Sequence, residues 1–250
     1  MNSITFEHIH KLGHIITENE EFQQYHFPEM LSRYSSNFIE FKKMPTLAQF
    51  QEREHTLRDF HKQHGQQHIK FSFPVNEMIS DDIKVYLTAA NYDIGFLELY
   101  AISPSEFPTT KNSTIDVQLV TNDNIDAFLQ LQYDADLKYG ETFAKEKQAI
   151  LHHQFLDGSK HQIIAYYAGI PVGSVEIIEQ SETAEIDNLF VVEAFQRKGV
   201  GSQIQQFVME KFQNKTVILV ADGEDTAREM YQKQNYVYLG FQYEVLKVEE

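Results

Sequence analysis

Residues 184–204 read AEIDNLFVVEAFQRKGVGSQI: an apolar strand, a turn with two glycines, and the opening of a helix. Ala184–Val192 carries the Ile, Leu, Phe and Val content of a strand. From Val200 onward, Ile204, Phe207, Val208 and Phe212 fall on one face, which is helical spacing. Between the two lies Gln196-Arg197-Lys198-Gly199-Val200-Gly201-Ser202. Its glycines let the backbone approach a ligand and turn N–H groups inward. The first turn of the helix leaves N–H groups unpaired at the positive end of its dipole, which suits a phosphate. Arg197 and Lys198 add formal positive charge. The plain alternative is a glycine-rich turn with no ligand. A dinucleotide fingerprint wants a third glycine and a P-loop wants Gly-Lys-[Ser/Thr], and neither is present.

Working outward, strands and helices alternate through the C-terminal half. Strands are expected at Ile115–Val120, Gln162–Tyr167, Pro171–Ile178, Ala184–Val192, Val217–Val220 and within Tyr236–Val248. Helices are expected around Ile125–Gln132, over Glu141–Phe155 and Val200–Asn214, and at Asp225–Gln234. That order predicts an α/β fold (α+β in the sense of a mixed sheet). Ser103–Thr114, SPSEFPTTKNST, has a connector's composition. It divides the chain into an accessory domain at 1–105, a linker at 106–114 and a second domain at 115–250. In the first part, Phe22–Tyr34 and Leu47–His61 read as helices, and His68–Phe73 and Asp93–Ile102 as strands. Asn91–Ile102 (NYDIGFLELYAI) echoes Asn235–Leu246 (NYVYLGFQYEVL), each after an apolar strand and a helix, which suggests an internal repeat.

The segment Ala184–Ile204 resembles motif A of the GNAT acetyltransferase superfamily, whose signature is [Arg/Gln]-x-x-Gly-x-[Gly/Ala]. The likeness in motif and element order extends over about 115–248. It implies the GNAT acyltransferase fold, with the N-terminal half a degenerate GNAT-like partner. It implies acetyl-CoA as co-substrate, with the backbone of Leu189, Phe190 and Val191 holding the acetyl-pantetheine arm. Gln196, Arg197, Lys198, Gly199, Val200, Gly201 and Ser202 would then take the pyrophosphate. Ala227-Arg-Glu-Met-Tyr231 resembles the Ala-x-x-Leu-Tyr of motif B, which implies that Tyr231 is a general acid for the departing thiolate; on spacing alone it also reads as a core tyrosine. The chain departs from the pattern twice. Asn235-Tyr236 stands where Gly-Phe is usual, and Glu224 where an asparagine is common.

Acyl transfer to an amine also needs a base, since a lysine-like amine with pKa about 10.4 is mostly protonated at pH 7. The resemblance implies Glu185 in that role, with Glu176 on the preceding strand, a water chain, or no role beyond exposed edge carboxylates as the alternatives. His61, His64 and His68 fall at i, i+3 and i+7 and read as a solvated histidine face; His152 and His153 point to different sides of a helix. No metal site is expected. The chain has no cysteine, which excludes disulfides and a cysteine nucleophile. A net charge of −16 disfavours nucleic acid and suits solubility or a cationic acceptor. No apolar run spans a membrane and Met1–Glu21 lacks a signal-peptide pattern, so a cytoplasmic location is expected. The reading is an N-acetyltransferase for a small-molecule or peptide amine, with no membrane or nucleic-acid partner. A CoA-binding regulator is the alternative, and oligomeric state is left open.

Overall fold

The structure is a computed structural model and describes residues 4–109, 112–223 and 227–249. Glu224 and residues 110–111 of the expected linker lie outside that set. The first half runs β1 (His14–Glu18), β2 (Phe22–His26), β3 (Phe38–Phe41), α1 (Leu47–Gln63), β4 (His68–Ser72), α2 (Asp81–Ala89) and β5 (Asp93–Ile102). The second half opens with β6 (Ile115–Leu119), α3 (Ile125–Asp136), α4 (Glu141–Asp157) and β7 (His161–Tyr167). It continues with β8 (Ile170–Glu179), β9 (Thr183–Val191), α5 (Val200–Lys211), β10 (Thr216–Asp222), α6 (Ala227–Lys233) and β11 (Val237–Val248). Two compact units result. One holds Lys11–Leu99, Ala221–Arg228 and Leu239–Glu250; the other holds Met1–His10, Tyr100–Val220 and Glu229–Tyr238.

In the Lys11–Leu99 unit the strands lie in the order β1-β2-β3-β4-β11. The sheet is mixed: β3 and β4 run parallel (Ile39↔Phe71), and β11 runs antiparallel to β4 (Val245↔Phe71). Phe41, Phe50, Phe71 and Phe73 build the core with Leu57, Ile83 and Leu87 from the covering helices. Helix α1 starts at Thr46, whose side chain accepts the Gln49 N–H in a reciprocal capping box, a device that contributes about 1 kcal/mol. Glu54 lies on the buried face of α1, where Arg58, Tyr86 and Tyr92 all donate to its carboxylate. Burial pushes that carboxyl up, but the three donors outweigh it and hold the pKa below its ordinary value.

Two expectations fail in this unit. Residues 22–34 are not a helix: Phe22–His26 is a strand paired on both sides, and Pro28 opens a short 3-10 turn. Aromatic residues there satisfy a strand as readily as a helix, and the neighbouring strands decide. The histidines do not form a solvated face either. Gly65, at φ 72°, ends the helix and turns the chain, so His68 falls on β4 and its ring centroid lies 4.5 Å from that of His61, the two rings tilted by 40°. Both rings are fully buried.

That pair makes the unit acid-sensitive. His61 Nδ1 donates to the His68 carbonyl (2.6 Å) and His68 Nε2 to the Asn37 carbonyl (2.9 Å). The other nitrogens, His61 Nε2 and His68 Nδ1, have no hydrogen-bond partner among the described residues. Burial pushes both pKa values down to about 4. The unfolded chain takes up protons as pH falls below 6.5, whereas the folded chain refuses them until about 4. Stability is therefore unaffected above 6.5 and lost across the window from 6.5 to 4. Urea midpoints measured across that window should fall steeply in the wild type and much less in the His61→Gln/His68→Asn variant. Parallel curves would remove the pair from the account.

In the Tyr100–Val220 unit the order is β10-β9-β8-β7-β6. The sheet is again mixed, parallel only at β9–β10. Adjacent residues of β8 show how helices cover both faces, because successive strand side chains point to opposite sides. Ser174 meets Gln132 of α3 on one side. On the other, a Cβ at Gly173 would lie 3.0 Å from Ile204 and 3.1 Å from Val200 of α5. Gly173 is thus what lets α5 sit close on the sheet. Ile125, Phe128 and Leu131 of α3 pack with Leu151 of α4 over Ile164 and Phe190.

The sequence echo has a counterpart in local structure. After α2, Asn91 takes φ 56° and the Tyr92 N–H bonds the Leu87 carbonyl; after α6, Asn235 takes φ 67° and the Tyr236 N–H bonds the Tyr231 carbonyl. Both are left-handed C-terminal caps, which asparagine tolerates better than other side chains. Each is followed by a buried tyrosine and a long strand. Asn235 thus takes the left-handed position and Tyr236 the buried aromatic position after it.

Candidate active site

The site is built around a defect in β9. Pairing with β8 runs from Glu179↔Ala184 to Glu176↔Asp187, slips, and resumes at Ser174↔Phe190. Asn188 and Leu189 therefore stand opposite the single residue Val175, a β-bulge, with Asn188 at φ 54°. On its other edge, among the described residues, β9 pairs with β10 from Thr183 to Ile186. Past that point the main chain of Leu189, Phe190 and Val191 lacks the β10 ladder. Backbone groups released from a ladder need water, a side chain or a ligand.

The loop after β9 leaves the sheet at Val192, whose N–H still bonds the Val172 carbonyl (2.8 Å), and runs on to α5. Arg197 takes φ 59° and Gly199 φ 87°, flanking Lys198. Successive residues that alternate between ordinary and left-handed conformation can turn their N–H groups to one side, an arrangement that favours anions. Helix α5 begins at Val200 with Gly199 as its N-cap and no side chain capping it. The first intrahelical bond is from Gln203 N–H to the Gly199 carbonyl (3.0 Å), so α5 itself leaves the N–H groups of Val200, Gly201 and Ser202 unused. Gln196 braces the loop by donating to the Val191 carbonyl (3.2 Å). Lys198 lies over the Phe195 ring, 4.8 Å from its centroid. Gln196 to Gly199 are exposed, while Val200 is buried under the helix. Ser202 Oγ accepts from Gln234, and Tyr236 donates to the buried Gln205, which tie the end of α6 to α5.

Glu185 and Glu176 are not exposed edge carboxylates; both are buried, at 5% and 2% exposure. Glu185 Oε2 accepts the backbone N–H of His10 at 2.8 Å. Lys160 Nζ stands 2.8 Å from Asp187 and 3.6 Å from Glu176. Burial pushes the Glu185 carboxyl up to about 7; the His10 N–H and Lys160 pull against that, and the Asp187 charge adds to it. Glu176 is paired with a lysine, whereas Glu185 is a carboxyl poised near neutral pH. Such a group is half ionised where a general base works best. Tyr231, on α6, is buried, its ring 5.2 Å from Tyr100 and 5.4 Å from Tyr236.

The sequence reading missed Asn188, Gln132, Ser174 and the His10 backbone. One signal was available: asparagine is a poor strand residue, and within AEIDNLFVV it marks the bulge. Among the described residues no group of three His, Asp or Glu side chains stands close enough to hold a metal ion, and no helix is long and apolar enough to cross a membrane.

Two family models match different parts of the chain. Residues 121–247 match the acetyltransferase (GNAT) domain model, and residues 4–100 match a domain of unknown function, DUF5613. No curated protein matches the chain. A functionally unknown conserved protein from Staphylococcus epidermidis ATCC 12228 is 36% identical, with TM-score 0.92 over 100% of this chain and 99% of that one. A GCN5-related N-acetyltransferase from Kribbella flavida shares the fold at TM-score 0.60 and 12% identity, covering 94% of this chain and 89% of that one. A tandem GNAT protein from the clavulanic acid biosynthesis pathway does so at TM-score 0.53 and 8% identity, over 84% and 75%. With its bulged β9, its open loop into α5 and the matching domain model, the chain belongs to the GNAT acetyltransferase family.

Proposed function

We propose that the protein transfers an acetyl group from acetyl-CoA to a primary amine by direct attack in a ternary complex. The observation that carries this reading is a bulged β9, without β10 pairing beyond Ile186, that leads through a short loop into an α5 N-terminus with no side-chain cap. Such an arrangement fits a pantetheine arm ending in a pyrophosphate. The backbone of Leu189, Phe190 and Val191 would hold the arm, and residues Gln196 to Ser202 the pyrophosphate. Acetyl-CoA supplies the acyl group as a thioester. Glu185 takes the proton of the attacking amine as the N–C bond forms. Tyr231 donates its phenolic proton to the sulfur as the C–S bond breaks. The acidity of the chain favours a cationic acceptor, a small amine or a peptide amine. Residues 1–105 act as a degenerate partner domain; the segment Thr46–Leu47 that opens α1 is capped by its own side chain and offers no phosphate nest.

A screen of polyamines, amino acids, aminoglycosides and peptide N-termini for thiol release from acetyl-CoA tests the proposal, run on wild type and Tyr231→Phe together. The phenylalanine keeps the ring packing against Tyr100 and Tyr236. With an accepted amine, the variant should turn over at least about tenfold more slowly while its CoA affinity stays within about twofold. CoA binding with no thiol release across the panel would make the protein a CoA-binding regulator. Unchanged turnover in the variant would return Tyr231 to core packing.

A further inference from the structure

We propose that Gln132 is a positioning residue that sets the coenzyme-holding backbone of β9, an inference that rests on the reading of this unit as an acetyl-CoA site. Gln132 lies on α3, distant in sequence from every residue assigned to that site, and is 1% exposed. Its amide bridges the two strands at the bulge. Nε2 donates to Ser174 Oγ at 2.6 Å, and Oε1 accepts from Asn188 Nδ2 at 3.1 Å. Ser174 is fully buried and is the residue at which the β8–β9 register resumes; Asn188 is the residue that leaves it.

The physical need for such a bridge is local. A non-glycine residue at φ 54° within a strand is held there against its own preference. The Asn188 side chain is tied down by one buried acceptor, and the donor end of the same amide is tied to the neighbouring strand. The pair fixes which residue bulges and hence which way the Leu189 and Phe190 peptide groups face. A bulge free to migrate by one residue would turn those groups over, because each step along a strand reverses the side that a group faces. Gln132 touches no ligand in this account. It acts through Asn188.

The test is a double-mutant cycle read by acetyl-CoA titration and by amide hydrogen exchange. Gln132→Met keeps the volume and removes both hydrogen bonds. It should weaken acetyl-CoA binding at least about tenfold and speed exchange in the segment 187–191 ahead of the rest of the sheet. Asn188→Gly supplies the partner variant, because glycine takes a positive φ without support. In that background the same Gln132→Met change should alter the Kd less than about twofold. An equal loss in both backgrounds, or a Met variant that binds like wild type, overturns the role given to Gln132 and leaves the cofactor reading standing. A folded wild-type protein that binds no acetyl-CoA overturns both, and the wild-type titration alone separates that case. Thermal melts of all four proteins identify any variant that fails to fold; a Gln132→Met protein that unfolds is replaced by Ser174→Ala, which cuts the bridge at its other end.

Discussion

Replacing Gly199 with glutamate is expected to abolish acetyl-CoA binding while the protein stays folded. Gly199 sits at φ 87° with open space where a side chain would go; the nearest atom to a built Cβ is Ile115 Cδ1 at 4.0 Å. The backbone cost of a side chain in this left-handed position is about 1–2 kcal/mol. The fold tolerates that. The carboxylate, however, would stand at the mouth of the α5 N-terminus, inside the nest assigned to the pyrophosphate. Its charge fills the site that the anion needs, and affinity should fall at least about a hundredfold. Gly199→Ala carries the same strain without the charge and should lose far less. Calorimetry on the three proteins reads both affinity and stoichiometry, with one equivalent per chain expected in the wild type. Equal binding by the Glu variant would remove the pyrophosphate from this loop.

Replacing Glu185 with glutamine should produce a slower and more stable protein. As the base, Glu185 must be ionised, so the wild-type rate should climb as pH rises through about 7. Glutamine cannot accept the proton. The rate should drop by about 10²–10⁴, and the limb centred near 7 should vanish, leaving only the rise due to the amine's own ionisation. Stability moves the other way. The carboxyl titrates near 7 when folded against an ordinary 4.5, so the folded state favours the proton. The penalty for carrying the buried charge is absent below 4.5, grows between 4.5 and 7, and is fully present above. At pH 8 a neutral glutamine that still accepts the His10 N–H should stabilise the protein by up to about 3 kcal/mol. A loss of activity accompanied by a lower melting temperature would point to disrupted packing instead of a missing base.

Much of the Tyr100–Val220 unit was legible because its elements are locally consistent. The strands at 161–167, 170–179 and 183–191 alternate or run apolar over lengths that only a sheet accommodates, and α5 carries its apolar stripe at helical spacing. The loop Gln196–Ser202 was legible for a different reason. A tight turn into a helix is made by backbone conformation, and Gly199 advertises one of its two left-handed positions. The N-terminal unit was harder. Phe22–His26 has no periodicity that separates strand from helix, and only its pairing with β1 and β3 makes it a strand.

Sequence alone therefore determined the element order of the C-terminal half, the glycine turn into α5 and the repeated Asn-Tyr cap, because each depends on contacts within a few residues. Tertiary structure decided the rest. Glu185 and Glu176 look alike on adjacent strands, yet burial beside Lys160 pairs one, and the backbone of His10 meets the other, 175 residues away. His61 and His68 became a buried neutral pair once Gly65 turned the chain back on itself. Ionisation is set by what surrounds a group in three dimensions, and a carboxyl's pKa near 7 is a property of its desolvation. The bulge of β9 is likewise held from α3 by Gln132, across 56 residues of chain. No local pattern carries that information, because the partner that holds a strand out of register is chosen by packing.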